Sequence, residues 1–258
     1  MTTSESVKSP TRPSRTLAWV VLVAVVLQIA TPAVQAIGGL GDPPSSQGDD
    51  LLITPAGYTF SIWSLVYLLT LVHAVAVLIE RSTGTAQPDR LMRDLLVVYL
   101  GAALWIVVAA AGPSWATAVV LVTMVVFAVD AARVASGPAA DGGPTWLVVL
   151  VRVTTALYAG WVTAASILNV CTALVDGGAL DGDDVGWQIG ALVVAALVAV
   201  AISVVIGGSW VYAATLAWAL VGIVVAVSGT STPLVVTAIA AAAVVVLVNA
   251  ALILRRKT

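Results

Sequence analysis

Eight apolar runs, each long enough to cross a lipid bilayer, dominate the chain. They lie at Leu17–Ile37, Phe60–Ile79, Leu95–Ala111, Trp115–Val134, Val153–Val175, Ile189–Ile206, Trp210–Val227 and Leu234–Leu254. A helix that spans the hydrocarbon core needs about 20 mainly apolar residues. In lipid each span must satisfy its own backbone hydrogen bonds, so the runs read as helices. They are too long and too uniform for barrel strands. Turn-forming clusters such as Gly112-Pro113, Gly137-Pro138, Gly207-Gly208 and Thr232-Pro233 separate most of them. The expected fold class is all-α, a polytopic membrane bundle of about eight transmembrane helices.

Composition closes off the alternatives. Of the 258 residues, 60% are hydrophobic and 9% charged, against about 25% charged in soluble proteins. Disorder is excluded by the same apolar richness. One His and one Cys supply too few soft ligands for a zinc site. Cys171 has no partner for a disulfide or a Cys-x-x-Cys pair. A net charge of −2 argues against nucleic acid, which demands a basic patch.

Charge also gives a direction. With the N-terminus inside, the inner segments hold Lys8, Arg12, Arg15, Arg81, Arg90, Arg93, Arg133, Arg152, Arg255, Arg256 and Lys257, which is all 11 basic residues. The outer segments carry Asp42, Asp49, Asp50, Asp176, Asp181, Asp183 and Asp184. The Lys/Arg bias sets orientation, so both termini are expected in the cytoplasm and the protein in the cell membrane. Arg15, the first apolar run and Val34-Gln35-Ala36 also resemble the three regions of a signal peptide. The run is long for a signal, which favours a retained helix; cleavage would leave seven spans and the same C-terminal side.

Residues 1–16 begin with a Ser/Thr/Pro-rich stretch and read as a disordered cytoplasmic tail. The outer loop 38–58 is the longest connection, and loops of that length are usually functional or disordered. Its second half, Leu51 to Tyr58, turns apolar and is expected to pack on the bundle. Residues 176–186 form an acidic outer loop that lacks the position-twelve Glu of a calcium loop. Residues 187–258 read as a compact Val/Ala-rich three-helix extension with little recognisable chemistry.

Two segments carry information. Thr54-Pro-Ala-Gly-Tyr-Thr-Phe-Ser-Ile-Trp-Ser-Leu-Val-Tyr67 opens span two, and Leu157-Tyr-Ala-Gly-Trp-Val-Thr-Ala-Ala-Ser-Ile-Leu-Asn169 lies in span five. At 100° per residue, Phe60, Trp63, Tyr67, Thr70 and Ala74 fall within an arc of about 80°, as do Tyr158, Trp161, Ala165, Asn169 and Thr172. Each motif is one helix face, aromatic with small or polar residues between. Two such faces opposed form an aromatic cavity in the outer half of the membrane. The competing reading is ordinary helix packing through small residues, with end-lying tryptophans such as Trp19 and Trp115 in the interfacial belt.

These motifs resemble those of the TspO/MBR family, the tryptophan-rich sensory or translocator proteins. Pro55, Phe60, Trp63 and Tyr67 match the pattern that opens that family's second helix. Tyr158, Trp161, Ala165 and Asn169 match the pattern of its fifth. The likeness covers residues 17–175, a TspO-like five-helix bundle, and leaves the last three helices outside. Ala56 stands where a second Pro is usual and Tyr58 where Trp is usual; if Trp105 is the family's third-helix Trp, its polar companions have become Val98 and Ala102. The resemblance implies a sensory receptor that buries an apolar tetrapyrrole- or sterol-like ligand, porphyrin or haem among them, between helices one, two and five under the 38–58 loop. The implied ligand-binding residues are Pro55, Tyr58, Phe60, Trp63, Tyr67, Tyr158, Trp161, Ala165, Asn169 and, on the flank, His73. The expected partners are membrane lipid and an apolar small molecule, with a homodimer as an option; no certain cofactor and no metal site is expected.

Polar residues at depth leave alternatives open. His73 reads as a ligand to haem iron or to a tetrapyrrole carboxylate, as a proton relay, or as a neutral packing histidine. Asp130, Arg133 and Arg152 read as ion-paired or snorkelling, and Gln28 and Asn249 as interhelical hydrogen-bonding residues. A transporter of a small or amphipathic solute is the rival function, although no internal repeat of the kind common in transporters is visible. An enzyme is the third, since some relatives are thought to promote porphyrin breakdown, but no nucleophile–base pair stands out.

Overall fold

The computed structural model describes residues 12–39, 51–140 and 143–256. The expectations placed on residues 1–11, on Asp42, Asp49 and Asp50 in the first part of the outer loop, and on Lys257 lie outside the described residues. Among the described residues the chain forms eight helices, all long and apolar enough to cross a membrane. They are α1 (Arg15–Gly38), α2 (Ile62–Glu80), α3 (Pro88–Ala111), α4 (Ser114–Ser136), α5 (Thr145–Asp176), α6 (Val185–Ile206), α7 (Trp210–Val227) and α8 (Thr232–Arg255). The protein is a polytopic helical membrane bundle.

Six helices start earlier than the apolar runs suggest, and for three of them the local reason is plain. α1 takes in Arg15 and Thr16, assigned above to the tail, because the Ser14 hydroxyl caps Leu17 N. α3 starts at Pro88, not Leu95: Pro at the first helical position and Asp89 in the first turn are both helix-start signals. α5 starts at Thr145 and runs for 32 residues, so Arg152 falls inside it. That charge is accommodated by bonding: Arg152 Nε donates to Ala135 O at 3.0 Å and Nη2 to Gly137 O at 3.1 Å. Those carbonyls end α4 and have no intrahelical partner of their own.

α5 is the central post, buried along most of its length and flanked by α2, α4 and α7. α1 packs on α2 and α3, and α8 packs on both α6 and α7. Most arginines gather at one end. There Arg90 clasps Asp130 through Nε at 2.7 Å and Nη2 at 2.8 Å, Arg133 joins from one turn away, and Arg256 Nη2 donates to Ile206 O at 2.6 Å. A short bridge between Thr85 and Ala139 ties the α2–α3 and α4–α5 connections at this same end.

Polar side chains at depth act as clips. Gln28 of α1, wholly buried, donates to Thr70 Oγ1 at 2.9 Å and accepts from the Tyr158 hydroxyl at 2.9 Å, joining α1, α2 and α5. Asn249 of α8 donates to Ser203 Oγ at 2.8 Å and accepts from Ser209 N at 2.9 Å, joining α8 to α6 and to the start of α7. Both are interhelical links, as expected of amides placed in an apolar bundle.

The approach of α5 to α7 depends on Gly160. A Cβ at that position would lie 2.8 Å from Thr215 Cβ and 3.2 Å from Tyr212 O. Gly160→Leu should therefore force the two helices apart and cost about 1–3 kcal/mol, read as a lower melting temperature in detergent. Gly190→Ala, which meets nothing within 4 Å, should be neutral or stabilise by up to about 1 kcal/mol.

Candidate functional site

The segment before α2 is anchored at both edges. Leu51 and Ile53 are buried against Cys171, Leu192 and Ile223, so the apolar second half of the loop packs on α5, α6 and α7. Ile53 N donates to Gln188 Oε1 at 3.1 Å, and Ala56 N donates to Gly222 O at 3.0 Å. Gly57–Ser61 then forms a 3-10 turn ahead of α2. Phe60 therefore lies in that tighter turn, just ahead of the α-helical face to which the regular periodicity assigned it. Trp218 of α7 closes over the turn: its Nε1 donates to Thr59 O at 2.9 Å, and its ring meets Tyr58 edge-on at 5.4 Å. Gly222 has no room for a side chain, because any Cβ there would collide with Thr59 Oγ1.

Below the turn, Trp63 is the hub of an aromatic cluster. It stacks on Tyr67 (5.5 Å between centroids, 28° between planes) and on Trp105 (5.8 Å, 26°). It meets Tyr158 edge-on (6.2 Å, 83°) and Trp161 likewise (6.1 Å, 89°). Phe60 in turn sits edge-on to Trp161 at 5.9 Å. Offset-stacked and edge-to-face pairs are the favoured ring geometries, each worth about 0.5–1.5 kcal/mol beyond the area buried. Trp105 Nε1 donates to Asn169 Oδ1 at 3.3 Å, while Asn169 Nδ2 donates back to Ala165 O. Where the resemblance placed polar companions of Trp105, Val98 and Ala102 are buried apolar residues.

A chamber of about 80 Å³ adjoins this cluster. Pro55, Phe60, Trp63, Trp105, Trp161, Ala165 and Asn169 form one wall; Leu192, Ala195, Ala196, Ala199, Leu216, Ala219, Ile223 and Val245 form the other. The second wall belongs to α6, α7 and α8. No α1 residue lines the chamber, whose lining comes from α2, α3, α5, α6, α7, α8 and the segment ahead of α2. α1 packs on α2 and α3 and is bonded to α2 and α5 through Gln28. The polar group that stands out is the Trp161 Nε1: the residue is 3% exposed and that nitrogen has no hydrogen-bond partner.

Of the ten residues proposed from sequence, six line the chamber: Pro55, Phe60, Trp63, Trp161, Ala165 and Asn169. Tyr67 and Tyr158 support Trp63 from behind, Tyr158 holding Gln28 with its hydroxyl. Tyr58 is exposed over Trp218. His73 is buried beside the backbone of Thr83, ten residues past Trp63, and does not line the chamber. Sequence reasoning missed the whole second wall. The one trace of it in the sequence is the row of small residues Ala195, Ala196 and Ala199 on one face of an apolar run, which does not say what that face opposes.

The fold and the cluster together define an integral membrane helical bundle organised around stacked indole and phenol rings. The sequence pattern of the TSPO-like protein family matches residues 15–252, and the chain belongs to that family. The match runs into α8, so the family pattern takes in α6 and α7, which the two aromatic motifs alone do not reach. Comparison with curated proteins and with solved structures gave no match.

Asn169 is the polar link between the α3 and α5 walls. Asn169→Leu should leave the Trp105 N–H buried without an acceptor and cost about 1–3 kcal/mol. The check is thermal unfolding in detergent, with Asn169→Gln as the variant that keeps an acceptor.

Proposed function

We propose that the protein is a membrane receptor or binding protein of TspO type, and that the chamber beside Trp63 and Trp161 holds an apolar ligand carrying a hydrogen-bond acceptor. The observation that supports this is the unpaired ring nitrogen of Trp161 in a mostly apolar lining. A buried N–H without a partner costs about 1–3 kcal/mol, and a ligand oxygen placed there recovers that cost. Thr163 and Asn169, the other polar lining residues, already have protein partners. The chamber is small. Typical ligand pockets hold about 300–1,000 Å³, so a tetrapyrrole or sterol fits only if the wall from α6 to α8 moves outward. Porphyrin therefore remains a ligand class to be tried beside smaller neutral hydrophobes.

The arginine-rich end is assigned to the cytoplasmic side of the cell membrane by the Lys/Arg bias, which places the start of α1 and the end of α8 inside. Cys171 is buried, so single introduced cysteines can report topology. Asp183→Cys should react with an impermeant maleimide on intact cells, and Ala139→Cys only after permeabilisation; the reverse pattern would invert the orientation.

Ligand binding is read by quenching of Trp fluorescence in the purified protein, titrated with porphyrin and with neutral ketones. Trp161→Phe keeps most of the ring and removes the N–H; it should weaken the preferred ligand about tenfold, a typical value for one hydrogen bond. Unchanged affinity would remove Trp161 from the site. Flux into proteoliposomes separates the transporter reading, since a receptor binds without moving its ligand across.

A further inference from the structure

The chamber is shut toward the end that carries the 51–61 segment. Three hydrogen bonds fasten that segment: Ile53 N to Gln188 Oε1, Ala56 N to Gly222 O, and Trp218 Nε1 to Thr59 O. Leu51 and Ile53 beneath them are 4% and 3% exposed. A segment held this way is a fixed cap and not a loose lid.

The flank between α5 and α6 is different. Ala164, Ala165 and Leu168 of α5 and Ala195 and Ala196 of α6 all line the chamber, and all are only partly buried. The neighbouring Val193, Val194 and Leu197 are exposed on the outside of α6. The polar links of α6 run elsewhere: Gln188 to the cap, Ser203 to Asn249, and Ile206 O to Arg256. α6 leans chiefly on α8 and only lightly on α5. Ala164 lies about 18 Å along α5 from Asp176, and Ala196 about 17 Å along α6 from Val185, at 1.5 Å per residue. Both positions fall near the middle of a hydrocarbon core of about 30 Å.

We propose that ligand reaches the chamber sideways, out of the bilayer, through the alanine-lined seam between α5 and α6. The ligand is accordingly a neutral, membrane-dissolved hydrophobe whose carbonyl or ether oxygen meets Trp161 Nε1. This rests on the chamber being the binding site. Small residues alone would be ordinary packing; the independent sign of a ligand is Trp161, a chamber-lining residue only 3% exposed whose ring nitrogen has no hydrogen-bond partner. Outward bowing of α6 at Ala195 and Ala196 parts contacts between alanine methyls about two turns from Gln188, whose bond to the cap lies at the start of the helix. An ionised ligand is disfavoured on this route, because charge at the bilayer centre costs several kcal/mol.

The test uses the full chain in proteoliposomes and duroquinone, a neutral, fully substituted quinone that quenches indole fluorescence. With the exposed Trp19, Trp115, Trp146 and Trp210 replaced by Phe in every protein compared, stopped-flow quenching gives the rate of arrival, and dilution into empty vesicles gives the rate of release. Ala196→Phe should slow both at least tenfold, and Ala196→Leu, a milder change should the first variant fail to fold, at least threefold. Narrowing a passage slows release together with arrival, whereas filling the chamber would speed release. Trp218→Phe, which frees one edge of the cap from α7 and leaves α6 untouched, should leave both rates as in the unaltered protein. Faster arrival in Trp218→Phe, or unchanged or faster release in Ala196→Leu, overturns the lateral route. Equal quenching affinity in Trp161→Phe overturns instead the chamber reading beneath it.

Discussion

Inside hydrocarbon the backbone can turn only to the chain itself for hydrogen bonds, and every other choice in this protein follows from that. Each span closes its own ladder, so the problem shifts to the helix ends and to the few polar side chains. The arginines solve part of it. Arg152 and Arg256 reach carbonyls at the ends of α4 and α6, so charges that would be costly in lipid become caps for a neighbouring helix. Arg90 and Arg133 converge instead on one carboxylate, Asp130. Low charge content is thus matched by heavy use of each charge.

The same economy shapes the interior. Gln28 and Asn249 each unite elements far apart in sequence, and Asn169 holds the Trp105 ring in place. Around these fixed points the rings of Trp63, Tyr67, Trp105, Tyr158 and Trp161 satisfy one another. What is left over is a small apolar space where α6, α7 and α8 fail to fill the groove beside α5. The candidate site is therefore shared between the aromatic motifs and a wall of alanine, leucine and valine.

How much of this was legible beforehand differs by level. The eight helices and their alternation could be read because twenty-residue apolar runs have one solution in lipid. The aromatic face could be read because helical spacing places Trp63 with Tyr67, and Trp161 with Asn169. The partners of that face could not. Nothing in the spacing of Leu192, Ala195, Ala196 and Ala199 says which helix they oppose, because a uniformly apolar helix has no marked inner side. The family resemblance sets α1 beside the ligand; in the structure α1 meets this face through Gln28, which accepts a hydrogen bond from the Tyr158 hydroxyl. His73 stood out by chemistry alone, and its position beside Thr83 follows from ten residues of helix carrying it away from Trp63. The start of α5 lies ahead of its apolar run for a similar reason: Arg152 marks a boundary by its charge, and only the fold brings two carbonyls within its reach.

The nested rings also have an optical consequence. Trp105 and Trp161 lie with centroids 5.8 and 6.1 Å from Trp63, the first nearly parallel and the second nearly perpendicular to it. Indoles this close share excitation energy and couple their transitions, so the three act as one chromophore with a fixed handedness. Near-ultraviolet circular dichroism of the folded protein reports on that arrangement directly. A small rotation of any one ring changes the signal of all three, which makes the centre of this bundle its own spectroscopic gauge.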